Sequence, residues 1–216
     1  MKKIAIILSG CGVYDGAEIH ESVLTMLHIE QFGASYECFA PNIQQYHVIN
    51  HLTGEEHAQQ RNVLEEAARI ARGDIKDLSS LNVSNFDALV IPGGFGVAKN
   101  LSSFAFEGAQ STILESLKQC CQSFAQQHKP IAYLCIAPAL IGHIHPQGTL
   151  ATIGNDEETA TATEQLGAKH VTCGVDDVVV DEQQKVISTP AYMLAGSITQ
   201  ASSGIQKALK ALFDIL

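Results

Sequence analysis

Apolar residues in this chain fall into short unbroken runs that alternate with longer stretches of helical spacing. Residues 3–8 form a continuous run, aliphatic from Ile4 onward, the mark of a strand buried on both faces. Over residues 19–32, Ile19, Val23, Met26, Leu27 and Ile29 make a helical stripe that Gly33 ends. Residues 35–40 predict a second strand, closed by Pro41, and residues 41–54 a polar, histidine-bearing surface excursion. A helix over 61–72 stops at Gly73. Residues 87–91 read as a strand that runs directly into Pro92, Gly93, Gly94, Phe95 and Gly96. A long helix is predicted over 111–128, then a short strand over 131–134 with Cys135 immediately after it. Another short strand covers 149–153, and a helix over 157–166 stops at Gly167. Residues 178–181 and 185–189 flank a polar turn and read as a small β-hairpin excursion, and 193–216 as the final helix.

Strands that alternate with helices imply an α/β fold, a mostly parallel sheet covered on both faces. We expect one domain over residues 1–216, with no repeat and no linker. A chain of this length buries on the order of 70% of its unfolded surface, so it folds without metal or disulfide staples. Its net charge of -10, with no basic run, argues against nucleic acid and anionic membrane surfaces as partners. No apolar stretch approaches the ~20 residues of a membrane span. The apolar run near the N-terminus is shorter than the roughly 7–15 residues of a signal core and reads as a strand. The six cysteines include no CxxC pair, and several lie in apolar segments. That usage fits a reducing, cytoplasmic compartment.

Three loops leave the carboxyl ends of predicted strands and so share one sheet edge, where such folds bind ligands. They are residues 9–18, 92–100 and 135–138. Cys135 is the main candidate for chemistry: a thiol at a strand-to-helix turn is exposed above the sheet, and a following helix stabilises its thiolate. The plain alternative is a packing cysteine. The glycines of 92–96 offer backbone N–H donors for an oxyanion, although such turns also serve only the bend. Glu18 reads equally as an acid–base group and as an exposed first-turn carboxylate. Cys11 is a second thiol on this edge or a simple loop residue. The loop at Ser9-Gly10-Cys11-Gly12 lacks the spacing of a phosphate cradle. Among nine histidines, His47, His51 and His57, and the pair His143 and His145, match no metal-ligand spacing. We therefore expect no metal and no cofactor.

Five motifs together resemble the ElbB family, isoprenoid-biosynthesis proteins with an amidotransferase-like domain, within the class I glutamine amidotransferase-like, ThiJ/PfpI superfamily. They are Ser9-Gly10-Cys11-Gly12-Val13-Tyr14-Asp15-Gly16 with Glu18; Val48-Ile49-Asn50-His51-Leu52-Thr53-Gly54; Pro92-Gly93-Gly94-Phe95-Gly96 with Lys99-Asn100-Leu101; Cys135-Ile136-Ala137-Pro138; and Thr189-Pro190-Ala191-Tyr192-Met193. The resemblance covers essentially the whole chain. It implies a flavodoxin-like three-layer sandwich, a homodimer, and a cofactor-independent glyoxalase that converts the small aldehyde glyoxal to glycolate, with a deglycase-type reaction as a relative of that activity. It assigns the nucleophile to Cys135, the acid–base carboxyl group to Glu18, and the oxyanion donors to Gly94 and Ile136. Gly93, Cys11 and Asn100 complete the expected substrate pocket. One departure matters: many superfamily relatives carry a histidine directly after the cysteine, and this chain has Ile136. None of His143, His145 and His170 is followed two residues later by Glu, so glutaminase activity is not expected. The missing histidine keeps a second reading open, a redox-sensing or regulatory protein with an oxidisable Cys135, linked to isoprenoid metabolism.

Overall fold

A computed structural model describes all 216 residues, Met1–Leu216. The first aliphatic run forms β1 (Lys3–Ile7). Its side chains alternate, Ile4 and Ile6 joining the core on one side of the sheet and Ala5 and Ile7 the core on the other. The chain continues through α1 (Ile19–Gln31), β2 (Ser35–Ala40), α2 (Val63–Ile70) and β3 (Ile75–Asp77). Next come β4 (Ala88–Ile91), the short helices α3 (Phe95–Lys99) and α4 (Phe104–Glu107), and α5 (Glu115–Gln126). After β5 (Ile131–Leu134) follow α6 (Ile141–Ile144), β6 (Leu150–Ala151), α7 (Glu157–Gln165) and β7 (Lys169–His170). The chain ends with β8 (Val179–Asp181), β9 (Val186–Thr189) and α8 (Ile198–Asp214).

Seven strands form one sheet in the order β3-β2-β1-β4-β5-β9-β8, and β6 pairs with β7 in a separate ribbon. Every pairing in the main sheet is parallel except β8 with β9. On one face, Leu24 and Ile29 of α1 and Ile205, Leu209 and Leu212 of α8 pack on Ile4, Ile6 and Val90. On the other, Leu117, Cys121 and Phe124 of α5 pack on Ile7, Leu89, Ile91 and Tyr133. Each such buried side chain contributes about 1.5–3 kcal/mol relative to exposure. This is the mostly parallel, doubly covered sheet that the alternating pattern predicts, in the flavodoxin-like three-layer form that the family resemblance implies. The hairpin forms as well, and its second strand is an interior member of the main sheet, paired with β5. No helix is long and apolar enough to cross a membrane.

Element boundaries differ from expectation where local hydrogen bonds compete with helix or sheet. The predicted 111–128 helix begins at Glu115 because the preceding residues are extended, with Ser102 bridging Ile113 and Leu114 N–H donating to Leu101 at 2.9 Å. The last helix starts at Ile198, where the Ser197 side chain caps it by accepting from Gln200 N–H at 3.2 Å. The strand expected over 149–153 is reduced to two residues of the side ribbon. Strands β3 and β7 escaped prediction because Ile75-Lys76-Asp77 and Lys169-His170 carry no apolar run.

The order of strands reverses between β1 and β4, which opens a crevice at their carboxyl ends. The 41–62 excursion is fastened beside it. Ile49 N–H donates to the Asp15 carboxylate at 2.7 Å, and Tyr46 N–H donates to Asn100 Oδ1 at 2.9 Å. Asn100 Nδ2 in turn donates to the carbonyls of Ser9 and Asp15, both at 2.9 Å. One buried amide therefore ties three loops together. Asn100→Ala strands these partners and is expected to lower stability by roughly 3 kcal/mol, read from urea unfolding. An unchanged midpoint would show that the loops hold without it.

Candidate functional site

Cys135 follows β5 directly and has φ 58°, a left-handed conformation that non-glycine residues seldom adopt. Its N–H donates to the Thr189 carbonyl at 3.0 Å, so the turn is pinned to β9. The sulfur lies at the base of a cavity of about 480 Å³. The helix expected to stabilise a thiolate is absent in its full form. A single 3-10 turn, Ala137–Leu140, leads into the four-residue α6. So short an element supplies little macrodipole.

The carboxyl group that meets the thiol is Glu21, which the sequence reading passed over. Glu18 is the N-cap of α1, its Oε2 accepting from Glu21 N–H at 2.7 Å. That cap fixes the first turn and aims Glu21 inward, where it is fully buried. Glu21 Oε2 accepts from Gly93 N–H at 2.8 Å and Oε1 from Tyr192 N–H at 3.1 Å, and the carboxyl group reaches the Cys135 thiol. Gly93 has no side chain for a physical reason. A Cβ there would stand 2.8 Å from Glu21 Oε2 and 3.0 Å from Cys135 Sγ, in space that the pair occupies.

Burial pushes the Glu21 carboxyl group up to about 7, aided by the nearby Glu18 and opposed by the amides of Tyr192 and Gly93. Cys135 is also raised well above an ordinary thiol, first by burial and then by the charge and hydrogen bond of Glu21. The Gly94 and Ile136 amides pull it down. Desolvation disfavours each charged form, and two neighbouring anions disfavour each other. Below about 7 both groups are therefore protonated, and above it the pair keeps a single proton.

Glu18, Gly94 and Ile136 line the cavity with Cys135. Gly93 lies beneath the thiol, while Cys11 and Asn100 are not part of the lining. Cys11 faces Glu66, Arg69 and Asp15 instead, and Asn100 serves the loops. Beyond Glu21, the structure adds Phe104 and Phe106, Glu158 of α7, and Tyr192 with Met193 to the site. The spacing of Glu18 to Glu21, three residues apart at a helix start, was a usable signal: the first takes the cap and the second is free to turn inward. The histidines have other tasks. His145 is bonded to Tyr133 at 2.8 Å, His20 to Tyr192 at 2.9 Å, and His51 accepts from Tyr14 N–H at 3.2 Å. No group of three His, Cys, Asp or Glu residues is arranged to hold a metal ion.

A buried cysteine at a strained strand end meets a carboxyl partner from the first helix, on a fold shared with solved DJ-1/ThiJ/PfpI-like domains. A solved glyoxalase III from Candida albicans shares the fold, with TM-score 0.60 at 13% identity over 99% of this chain and 95% of that one. No family model matches the chain. The rat "ES1 protein homolog, mitochondrial" is 41% identical over 99% of this chain and 84% of its own length, and the chain belongs to the ES1 family. A crystal structure from Ehrlichia chaffeensis, described as an isoprenoid biosynthesis protein with amidotransferase-like domain, matches with TM-score 0.92 and 37% identity over 100% of this chain and 99% of that one. The rat protein and matching human and zebrafish relatives are named as mitochondrial, which overturns the cytoplasmic expectation drawn from cysteine usage. Both compartments keep thiols reduced, so cysteine usage has no power to separate them.

The raised Glu21 has a consequence for stability. Its folded value, about 7, lies above its ordinary 4.5, so the folded protein holds the proton more tightly. Stability from this group is full below about 4.5 and is lost as pH rises through about 7, a change on the order of 3 kcal/mol. Glu21→Gln should remove that slope from chemical unfolding curves measured across this window. A parallel pH dependence in both proteins would contradict the raised carboxyl group.

Proposed function

We propose that the protein is a cysteine-dependent glyoxalase that hydrates and isomerises glyoxal to glycolate. The observation that supports this most is the buried contact of the Glu21 carboxyl group with the Cys135 thiol at the floor of an open cavity. In the proposed reaction, sulfur attacks one aldehyde carbon as Glu21 takes the thiol proton. The C–S bond forms and the carbonyl electron pair moves to oxygen. The Gly94 and Ile136 amides, which bond to the sulfur at rest, are freed as the sulfur bonds to carbon and meet the new oxyanion. Protonation gives a hemithioacetal.

Glu18, on the cavity wall, then moves a proton from the sulfur-bearing carbon to the second carbon through an enediol. One carbon is thereby oxidised and the other reduced, so no external electron acceptor is required. The product of this step is a thioester of glycolic acid. Water adds to it, the C–S bond breaks, and the sulfur recovers its proton from Glu21. The net change is glyoxal plus water to glycolic acid. The rival role as a redox sensor has weaker support. Oxidation follows thiolate character, and burial with the Glu21 charge suppresses it in Cys135.

Glycolate formation should fall to background in Cys135→Ala and by about 10²–10⁴ in Glu21→Gln and Glu18→Gln. In the unmodified protein kcat/KM should rise with pH and level off above about 7, as the pair gives up its first proton. Full turnover in Cys135→Ala would refute the proposal.

We further propose that two copies associate through α1. Ile19, Val23 and Leu27 are spaced one turn apart on it and are 42%, 48% and 43% exposed, a row of aliphatic side chains left to solvent. Val23→Glu should shift the protein to a monomer in sedimentation velocity. A dimer of undiminished strength would place the contact elsewhere.

A further inference from the structure

The cavity above Cys135 is much larger than glyoxal requires. Glyoxal has only four heavy atoms and fills roughly two water volumes, about 60 Å³. The cavity measures about 480 Å³, within the roughly 300–1,000 Å³ of sites that enclose drug-sized ligands. Its walls are apolar: Phe95, Phe104, Phe106, Ile136, Ala162 and Met193 face it. Phe95 and Phe106 are 49% and 46% exposed, large aromatic surface that a ligand would cover. Phe106 is also held in place, its ring 4.4 Å from that of Tyr46.

The charge of the lining is one-sided. Glu18 and Glu158 contribute acidic groups, and no lysine, arginine or histidine lines the cavity. The nearby Lys99 is engaged outside it, donating to the Tyr14 carbonyl at 2.9 Å and lying 5.2 Å from the centroid of the Phe95 ring. A carboxylate, phosphate or diphosphate on a substrate would lose its water and find no cation here.

We propose that the site takes uncharged carbonyl compounds with an aromatic or branched apolar body, α-oxoaldehydes of the form R–CO–CHO, and rejects anionic ones. This rests on the reading of Cys135 and Glu21 given above, and it adds the substrate class. The balance is unchanged: R–CO–CHO plus water gives the 2-hydroxy acid, the aldehyde carbon oxidised and the ketone carbon reduced. Burial of one phenyl ring favours such a substrate by roughly ten- to a hundred-fold in kcat/KM over glyoxal.

Two readouts test this. Turnover is compared for glyoxal, phenylglyoxal and 4-carboxyphenylglyoxal. Separately, the rate of Cys135 alkylation by N-phenylmaleimide and N-(4-carboxyphenyl)maleimide is followed by peptide mass mapping, with each reagent normalised to its rate on glutathione. We expect the neutral aromatic member to be favoured about ten-fold or more in both series, by the apolar burial argument. Ala162→Phe, on the partly exposed α7, narrows the cavity and should remove the aromatic advantage in the alkylation series. Glu158→Lys, at an exposed position, should raise the rate of the carboxylated reagents. Equal normalised alkylation rates, or no alkylation of Cys135 at all, would overturn the inference. Flat selectivity with Cys135-dependent glyoxal turnover defeats this inference alone. Selective alkylation with no aldehyde turnover leaves the cavity's preference standing and defeats the glyoxalase reading.

Discussion

The contact between the Glu21 carboxyl group and the Cys135 thiol sets the terms for the rest of the site. Glu21 is fully buried, and Cys135 is buried except where it lines the cavity. A carboxyl group in that position is tolerable only when hydrogen-bonded, and the Gly93 and Tyr192 amides provide this. Those two donors come from segments far apart in the chain, one after β4 and one after β9. The position of Glu21 therefore requires that both strand ends be correct. Gly93 must lack a side chain for the same contact to exist, and Glu18 must cap α1 for Glu21 to point inward. Cys135 takes a left-handed conformation at the end of β5 to bring its sulfur to this point.

That arrangement follows from the sheet. Parallel strands direct all their carboxyl ends to one edge, and the reversal of order between β1 and β4 leaves a crevice there. Two thick aliphatic layers, α1 and α8 on one face and α5 on the other, hold the strands rigid beneath it. The cavity walls are then supplied by parts that have no place in the sheet: α4 brings Phe104 and Phe106, and α7 brings Glu158 and Ala162. A rigid floor with walls from separate short helices allows the chemistry and the choice of substrate to be varied independently.

The doubly covered parallel sheet was legible because buried parallel strands write themselves as unbroken aliphatic runs, as at residues 4–8 and 88–91. Cys135 stood out for the same reason, directly after such a run. Glu21 did not, because one acidic residue in a helix looks like any other until the tertiary fold determines which face is covered. Glu18 was noticed for its loop position, but its capping bond is a matter of backbone geometry. The direction of the Cys135 shift also differed from expectation. A helix after the thiol was read as a stabilising dipole, whereas the observed turn is short and burial beside Glu21 dominates. Phe104, Phe106 and Glu158 could not be assigned to the cavity from sequence, since their segments carry no periodic signal that links them to Cys135.

The most direct measurement is the ionisation of Cys135 itself, followed by thiolate ultraviolet absorbance as the difference between the protein and its Cys135→Ala variant, with and without Glu21→Gln. A shared proton predicts that loss of the Glu21 charge lowers the Cys135 pKa, although the same substitution depresses turnover. A Cys135 pKa that does not move when Glu21 is replaced would contradict the coupled thiol–carboxyl pair on which the proposed chemistry depends.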